Sequence, residues 1–263
     1  MKNQREQNLM NRLRLEGKLD LAEVVEFLNI SESTARRLFA RLESEGKIIR
    51  VHGGIQLPGN MGLEYSFEQV ARSRIEEKNA IARRAFDLLS EEEVIFCDAG
   101  TTVLCFCMEL AARIGERAEK IRVYTNSLAN FEVLSPHVPI TLVGGEYRPH
   151  RKDFSGYLAE LSLSRLHFTK CFLGTDGCDM KQFFTTTDFD TARMDETAIR
   201  NSNETIILCD SGKFSSCAQI GYADFADVDK IVTDTGTGRS VCSKLEAFGI
   251  EVIRAEMDKD REK

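Results

Sequence analysis

No uncharged run in this chain of 263 residues approaches the roughly 18 needed to cross a bilayer. The first ten residues, MKNQREQNLM, also lack a long apolar stretch of the leader-peptide kind. No membrane partner is expected, and the chain reads as cytoplasmic. Eight cysteines, at positions 97, 105, 107, 171, 178, 209, 217 and 242, form no CxxC pair and fall mainly within apolar segments. Cys105 and Cys107 stand two apart on an expected helix, point in different directions and so do not readily share a metal. Reduced, buried thiols are the expectation, with no metal and no cofactor. Histidines number four, and His137, His150 and His167 have no nucleophile or carboxylate at triad spacing. No internal repeat or low-complexity tract is visible.

A strongly basic composition is also missing. The net charge of -7 argues against a nucleic-acid coat protein, but the charge is unevenly spread. Residues 1–57 hold 10 Lys+Arg against 8 Asp+Glu, whereas the remainder holds 25 against 34. The basic excess sits at the front, where three short helices are expected. Leu9, Met10 and Leu13 fall close to a helical period before Gly17. Asp20 caps LAEVVEFL, with Leu21, Val24, Val25 and Leu28 on one face. After Asn29-Ile30, Ser31 caps ESTARRLFARLESEG, whose Ala35, Leu38, Phe39 and Leu42 face inward and leave Ser33, Thr34, Arg36, Arg37 and Arg41 outside. The following KIIRVHGGIQL breaks into two β-like pieces around His52-Gly53-Gly54, which suits a two-stranded wing. A helix-turn-helix of this kind lays its third helix in a DNA major groove.

These residues resemble the DNA-binding region of DeoR-type bacterial transcriptional regulators. That family reads S-x-x-T-x-R-R-D-L-x-x-L followed by G-x-x-x-R-x-H-G-G, and the chain matches at Ser31, Thr34, Arg36, Arg37, Leu42, Gly46, Arg50, His52, Gly53 and Gly54. Leu38 stands where the family commonly has Asp. The resemblance implies double-stranded operator DNA as a partner.

Pro58-Gly59-Asn60-Met61-Gly62 interrupts all periodicity and marks a linker. The expected division is a winged helix-turn-helix over 1–57, a linker over 58–74, an α/β domain over 75–255 and a charged tail over 256–263. Residues 67–90 look helical, with Ile81, Ala85, Leu88 and Leu89 on one face. VIFC then forms a buried strand closed by Asp98, and Ala99-Gly100-Thr101-Thr102 turns into a helix. Such a turn presents free backbone N–H groups at the positive end of the helix dipole, which suits phosphate. The alternative is that Asp98 or Thr101 simply caps a buried helix. Further strands, IRVYT (121–125), PITLV (139–143), KCFLG (170–174), TIILC (205–209) and KIVTD (230–234), alternate with helical stretches, which implies a mostly parallel sheet covered on both faces. Ligands gather at the carboxyl ends of such strands. The residues there are Asp98, Gly100, Thr101, Thr102, Asn126, Ser127, Gly144, Gly145, Asp176, Gly177 and Lys213, which combine close backbone approach, hydroxyl-binding carboxylates and one cation for phosphate.

The resemblance continues over residues 75–250, through D-x-G-T-T, T-N-S, L-x-G-G, G-T-D-G and D-S-x-K-F, standing here as Asp98 to Thr102, Thr125 to Ser127, Leu142 to Gly145, Gly174 to Gly177 and Asp210 to Phe214. Gly212 replaces a more usual Ser, and FFTTTDF (183–189) replaces a Gly-Leu-Thr-containing stretch. The family's sensor is similar in fold to ribose-5-phosphate isomerase and binds a phosphorylated sugar. It implies a repressor of a sugar catabolic operon released by that effector and acting as a homodimer or homotetramer. Two other readings stand beside it. A sugar-phosphate isomerase with a DNA-binding module needs a carboxylate base and a cation at the reacting carbon, and no Glu stands beside the loops. An adaptor whose winged helix binds protein predicts no steep salt dependence of DNA binding.

Overall fold

The computed structural model describes residues 6, 8–10, 12–13, 18–44, 47–51, 53–56 and 66–257. His52, the Pro58–Gly62 linker signal and tail positions 258–263 lie outside these residues. The chain separates into two compact units, Met1–Val70 and Ala71–Lys263.

In the first unit, helical residues around Leu9 and Leu13 precede a short strand, β1 (Lys18–Asp20), and two helices, α1 (Leu21–Leu28) and α2 (Glu32–Ser44). At the start of α1 the Glu23 carboxylate accepts a hydrogen bond from the Asp20 N–H at 2.8 Å. Asn29 ends it in the left-handed region, at φ 48, where the small polar side chain of Asn is tolerated. The Ser31 hydroxyl then accepts from the Thr34 N–H at 3.3 Å and starts α2. Leu9, Leu13, Val24, Leu28, Ala35, Phe39 and Leu42 form one buried core, with Leu38 packed against it.

The wing strands are β2 (Ile49–Val51) and β3 (Gly54–Gln56), paired antiparallel. The third strand of that sheet, β1, was not expected, because three residues carry no legible period and its partners lie about 35 positions on. It pairs with β3 through Lys18↔Gln56, Leu19↔Ile55 and Asp20↔Gly54. This register gives Gly54 a structural reason to be glycine, since a Cβ there would meet the Leu19 carbonyl oxygen at 2.1 Å. Because that neighbour is backbone, Gly54→Ala is expected to destabilise the winged unit by about 1–3 kcal/mol, the usual range for overpacking. A urea melt unchanged by the substitution would refute this.

The expected single helix over 67–90 is two, the first of which spans the division between the units. α3 (Phe67–Arg72) and α4 (Ile75–Phe86) are divided at Arg74, which takes φ 52. No glycine or proline announces the break. It coincides with the Arg74 guanidinium binding Asp210 at 3.0 Å and the Ser211 hydroxyl at 2.7 Å. Helix α3 also occupies part of the stretch expected as linker.

The main sheet comprises β4 (Glu93–Cys97), β5 (Ile121–Thr125), β6 (Ile140–Leu142), β9 (Lys170–Leu173), β12 (Thr205–Leu208), β14 (Lys230–Asp234) and β15 (Glu251–Ala255). Its order is β15-β14-β12-β9-β4-β5-β6, with every pair parallel. Alternate residues serve opposite faces. Ile95, Cys97, Phe172, Ile206 and Leu208 pack beneath α4 and α5 (Thr101–Arg113), while Phe96, Cys171, Leu173 and Ile207 pack on the other side. That second side carries α7 (Tyr157–Leu163), α8 (Phe189–Arg200) and α9 (Arg239–Glu246); α6 (Leu128–Leu134) follows β5. Two small antiparallel sheets were not foreseen: the hairpin β7 (Glu146–Arg148) with β8 (Asp153–Ser155), and β10 (Gly177–Cys178) with β11 (Phe183–Thr186) and β13 (Ile220–Asp224). These strands number two to five residues, too few for a period to show. The cysteines are all free, and seven are buried, Cys217 being the exposed one. Among the described residues no helix is long and apolar enough to cross a membrane.

Candidate functional site

The strand order reverses once. From β4 the chain runs outward through β5 to β6, then returns to β9 on the other side of β4 and runs outward again through β12 and β14. A crevice opens at the carboxyl ends of strands where such a reversal occurs. Here that point lies between β4 and β9, which are followed directly by Asp98 and Gly174.

Asp98 is 5% exposed, and its two carboxylate oxygens accept from the Gly100 N–H and the Gly174 N–H, each at 2.7 Å. It therefore ties the two loops of the reversal together. Burial raises its pKa to about 6, against the lowering effect of these two hydrogen bonds. Capping by Asp98 or Thr101 does not describe this arrangement, because Gly100 occupies the N-cap of α5 without a side-chain hydrogen bond. The first turn of α5 is thus left without a side-chain cap, and Thr101 and Thr102 are buried in it.

Neighbouring strands bring further candidates alongside. Asn126 follows β5 next to Asp98, and its amide Nδ2 donates to the Phe154 carbonyl at 3.0 Å. Its Oδ1 is buried without a partner, as are the Asn130 Oδ1 and the Ser155 Oγ. Asp176 accepts from the Thr186 and Thr187 hydroxyls and the Thr187 N–H, so the 183–189 stretch orients this carboxylate. Lys213 sits in a short 3-10 turn after β12, and among the described residues no hydrogen bond or ion pair engages its ammonium.

Other candidates have structural duties. The Ser127 hydroxyl caps α6 by accepting from the Asn130 N–H at 3.2 Å. A Cβ on Gly145 would meet the Ser155 carbonyl oxygen at 2.4 Å, and one on Gly177 the Ser216 carbonyl oxygen at 2.5 Å, so both are explained by packing. Gly144 has open space around it. Gly212 answers to Arg74, whose guanidinium lies 2.6 Å from where its Cβ would be. A Ser there would require the tip of the Arg74 guanidinium to shift.

Sequence reasoning missed Lys78, Asp195 and the Arg148 network. Lys78 is 2% exposed on α4, and burial lowers its pKa against the opposing pull of Asp210. The signal was available, since Lys78 stands three and seven positions before Ile81 and Ala85 on the buried stripe. Asp195 likewise follows Ala192 by three on the buried face of α8. Arg148 holds Asp153 through two hydrogen bonds, at 2.8 and 2.6 Å, and Asp188 through one at 2.6 Å. That network joins β7, β8 and α8 and has no local sequence signature.

In the winged unit, Ser31 also hydrogen-bonds Ser33 and Thr34 through their hydroxyls, at 3.1 and 2.8 Å. These polar groups share the exposed N-terminal turn of α2 with Arg36 and Arg37. Arg36 pairs with Glu32 at 3.2 Å, both well exposed, and Arg37 forms no ion pair among the described residues. Arg41 instead binds Glu6 at 2.9 Å, and Lys47 binds the same carboxylate at 2.7 Å. Arg50 lies 3.7 Å from Glu43. Gly53 turns the wing at φ 84.

Comparison with known proteins matches both units. The model of the DeoR-like helix-turn-helix domain covers residues 5–60, and that of the DeoR C terminal sensor domain covers 73–235. The lactose phosphotransferase system repressor of Lactococcus lactis subsp. lactis is 32% identical over 236 residues, spanning 89% of this chain and 91% of its own. The HTH-type transcriptional regulator GlpR of Haloferax volcanii is 30% identical, spanning 86% and 87%. The putative aga operon transcriptional repressor of Escherichia coli O157:H7 is 27% identical, spanning 95% and 93%. Among solved structures, ribose 5-phosphate isomerase A from Methanocaldococcus jannaschii aligns at a TM-score of 0.42 with 19% identity, over 54% of this chain and 55% of that one. With both the helix-turn-helix and the sensor matched, and these relatives regulators over nearly their full length, the chain belongs to the DeoR family of transcriptional regulators.

Proposed function

We propose that the protein represses a sugar catabolic operon and is released from its operator when a phosphorylated sugar binds the second unit. The observation that carries the effector half is the crevice at the β4/β9 reversal. An α5 N-terminus without a side-chain cap stands there beside carboxylate and amide acceptors, and the turn after β12 adds Lys213, which no hydrogen bond or ion pair engages among the described residues, with the buried Lys78 in its electrostatic neighbourhood. Backbone N–H groups, a helix dipole and two lysines suit a phosphate dianion, while Asp98, Asn126 and Asp176 suit sugar hydroxyls. Relatives named as sugar-operon repressors support the same reading. Control of DNA affinity follows from linkage: an effector that prefers one arrangement of the DNA-binding units shifts the population toward it. A homodimer or homotetramer supplies the paired α2 helices that operator half-sites about one helical turn apart require.

A thermal-shift panel of phosphorylated sugars beside their unphosphorylated parents tests the effector. One phosphate ester at 100 times its Kd is expected to stabilise the protein by about 2.7 kcal/mol, its parent to do nothing at the same concentration, and Lys213→Ala to lose the effect. A panel in which no ester acts, or in which parent and ester act alike, would sink the reading.

A further inference from the structure

The outer side of α7 is apolar where a surface helix is ordinarily polar. Of its residues YLAELSL, Ala159 and Leu163 face inward and are buried in the core. Tyr157, Leu158 and Leu161 face outward and are 75%, 66% and 41% exposed. A helix that is apolar on every side belongs in an interior. Helix α9, on the same side of the sheet, keeps the usual pattern and exposes Arg239, Ser240, Ser243, Lys244 and Glu246.

The first turns of α8 continue this surface. Phe189 is 73% exposed and lies one helical turn from Arg193. The Arg193 Nε donates to Glu160 of α7 at 2.8 Å, and Glu160 in turn lies one turn from Tyr157. A groove lined by Gly156, Tyr157, Glu160, Asp190, Arg193 and Met194 runs between the two helices. Tyr157 therefore stands between Leu158 and Leu161 on one side and Phe189 on the other, and the four exposed apolar side chains share one face.

The size of that face matches a contact between proteins. Its apolar side chains together expose on the order of 500 Å², large for a patch that a monomer leaves bare. A stable dimer buries about 800 Å² on each partner, with an apolar centre and a polar rim. Asp190, Glu160, Arg193 and Ser162 supply such a rim. Its charge matches a contact with itself. A two-fold axis sets a patch against its own copy, so one face has to carry both halves of each contact. Arg193 stands beside both Glu160 and Asp190, so acid and base are present together.

We propose that α7 and the start of α8 form the contact between two copies of this chain, with Tyr157 at its centre. This rests on the homo-oligomer part of the reading above and names the face that makes it.

Sedimentation velocity on the full chain, over a range of concentrations, tests this. Wild type is expected to associate, and Tyr157→Asp and Phe189→Asp each to weaken association by at least about thirtyfold, the loss that marks a residue at the centre of an interface. Both substitutions put Asp in the first turn of a helix, where its charge is favourable, so both variants are expected to fold, with circular dichroism as the check. If either unfolds, Leu158→Ser, a milder change on the same face, is expected to weaken association in its place. Met108→Asp, at an exposed position of α5, should leave association unchanged. Folded variants that associate as tightly as wild type, or an equal loss in Met108→Asp, would remove this face as the contact and leave the homo-oligomer to another. A monomeric wild type would overturn the proposal and the homo-oligomer reading together, and would give the face to a different protein. The sugar-phosphate reading stands or falls separately.

Discussion

Replacing Arg36 and Arg37 together by Ala is expected to lower affinity for operator DNA by on the order of a thousandfold while the fold stays intact, each good arginine contact to a base being worth about 1–3 kcal/mol. Both side chains are exposed on α2 and contribute nothing to the core, which is built from Ala35, Phe39 and Leu42 on the opposite side. The ion pair of Arg36 with Glu32 is no obstacle to DNA binding, because exposed i,i+4 pairs are worth only about 0.3–0.5 kcal/mol. The two residues are about 100° apart on the helix, so their roles separate in the single variants. The one that reads a base relaxes sequence selectivity. The one that holds phosphate leaves selectivity alone and reduces the slope of log K against log salt by about 0.9. The measurement is fluorescence anisotropy with a duplex selected from a random-sequence library, at several salt concentrations, with circular dichroism as the folding control. Affinity unchanged in the double variant would remove α2 as the recognition helix. Arg41 behaves differently by expectation. Its bond to Glu6, shared with Lys47, ties the first helical residues to α2, so Arg41→Ala acts first on stability.

The largest loss of stability is expected from Arg148→Ala. This guanidinium, 13% exposed, is bound to Asp153 by two hydrogen bonds and to Asp188 and the Thr191 hydroxyl by one each. Removing it leaves the Asp153 carboxylate, 3% exposed, without its main cation. Breaking a buried pair in this way costs about 3–5 kcal/mol. For a unit of this size that corresponds to a fall in Tm of roughly 6–20 °C. Arg148→Lys is expected to recover only part of the loss, because an ammonium cannot reproduce the forked contact. The pair also sets an acid limb. Burial works against ionisation of Asp188, but the Arg148 and Thr191 hydrogen bonds bring its pKa down to about 2. With the folded pKa below that of the unfolded chain, the network stabilises fully above pH 4 and its contribution is lost as pH falls toward 2. Asp98 runs the other way. Its raised pKa gives stability that is present below pH 4 and lost as pH rises through about 6. Thermal melts of wild type and Arg148→Ala across this range should therefore converge at low pH. A constant gap down to pH 2 would show that the ion network is not what the arginine supplies.

Periodicity, capping and turn chemistry are local quantities, and they determined most of this protein's plan by themselves. Ser31 capping α2, the inward Ala35, Phe39 and Leu42, the wing hairpin at Gly53, and the strands 121–125 and 230–234 were legible because each depends on neighbours within a few residues. So was the gathering of Asp98, Asn126, Asp176 and Lys213 at strand ends, since a parallel sheet places successive loops on one edge whatever its strand order. The order itself was not legible. Only the tertiary structure put β9 beside β4 and so placed Asp98 against Gly174, because strand pairing is decided by side chains from distant segments filling two faces at once. The same reason hid β1, whose partner lies in the wing, and the break at Arg74, whose carboxylate partner Asp210 is 136 positions away. Lys78 and Asp195 were visible as charges on buried stripes, but a charge in that position signals a site only when what surrounds it is known. The roles of Ser127, Gly145 and Gly177 were decided the same way, by packing contacts that no spacing along the chain records.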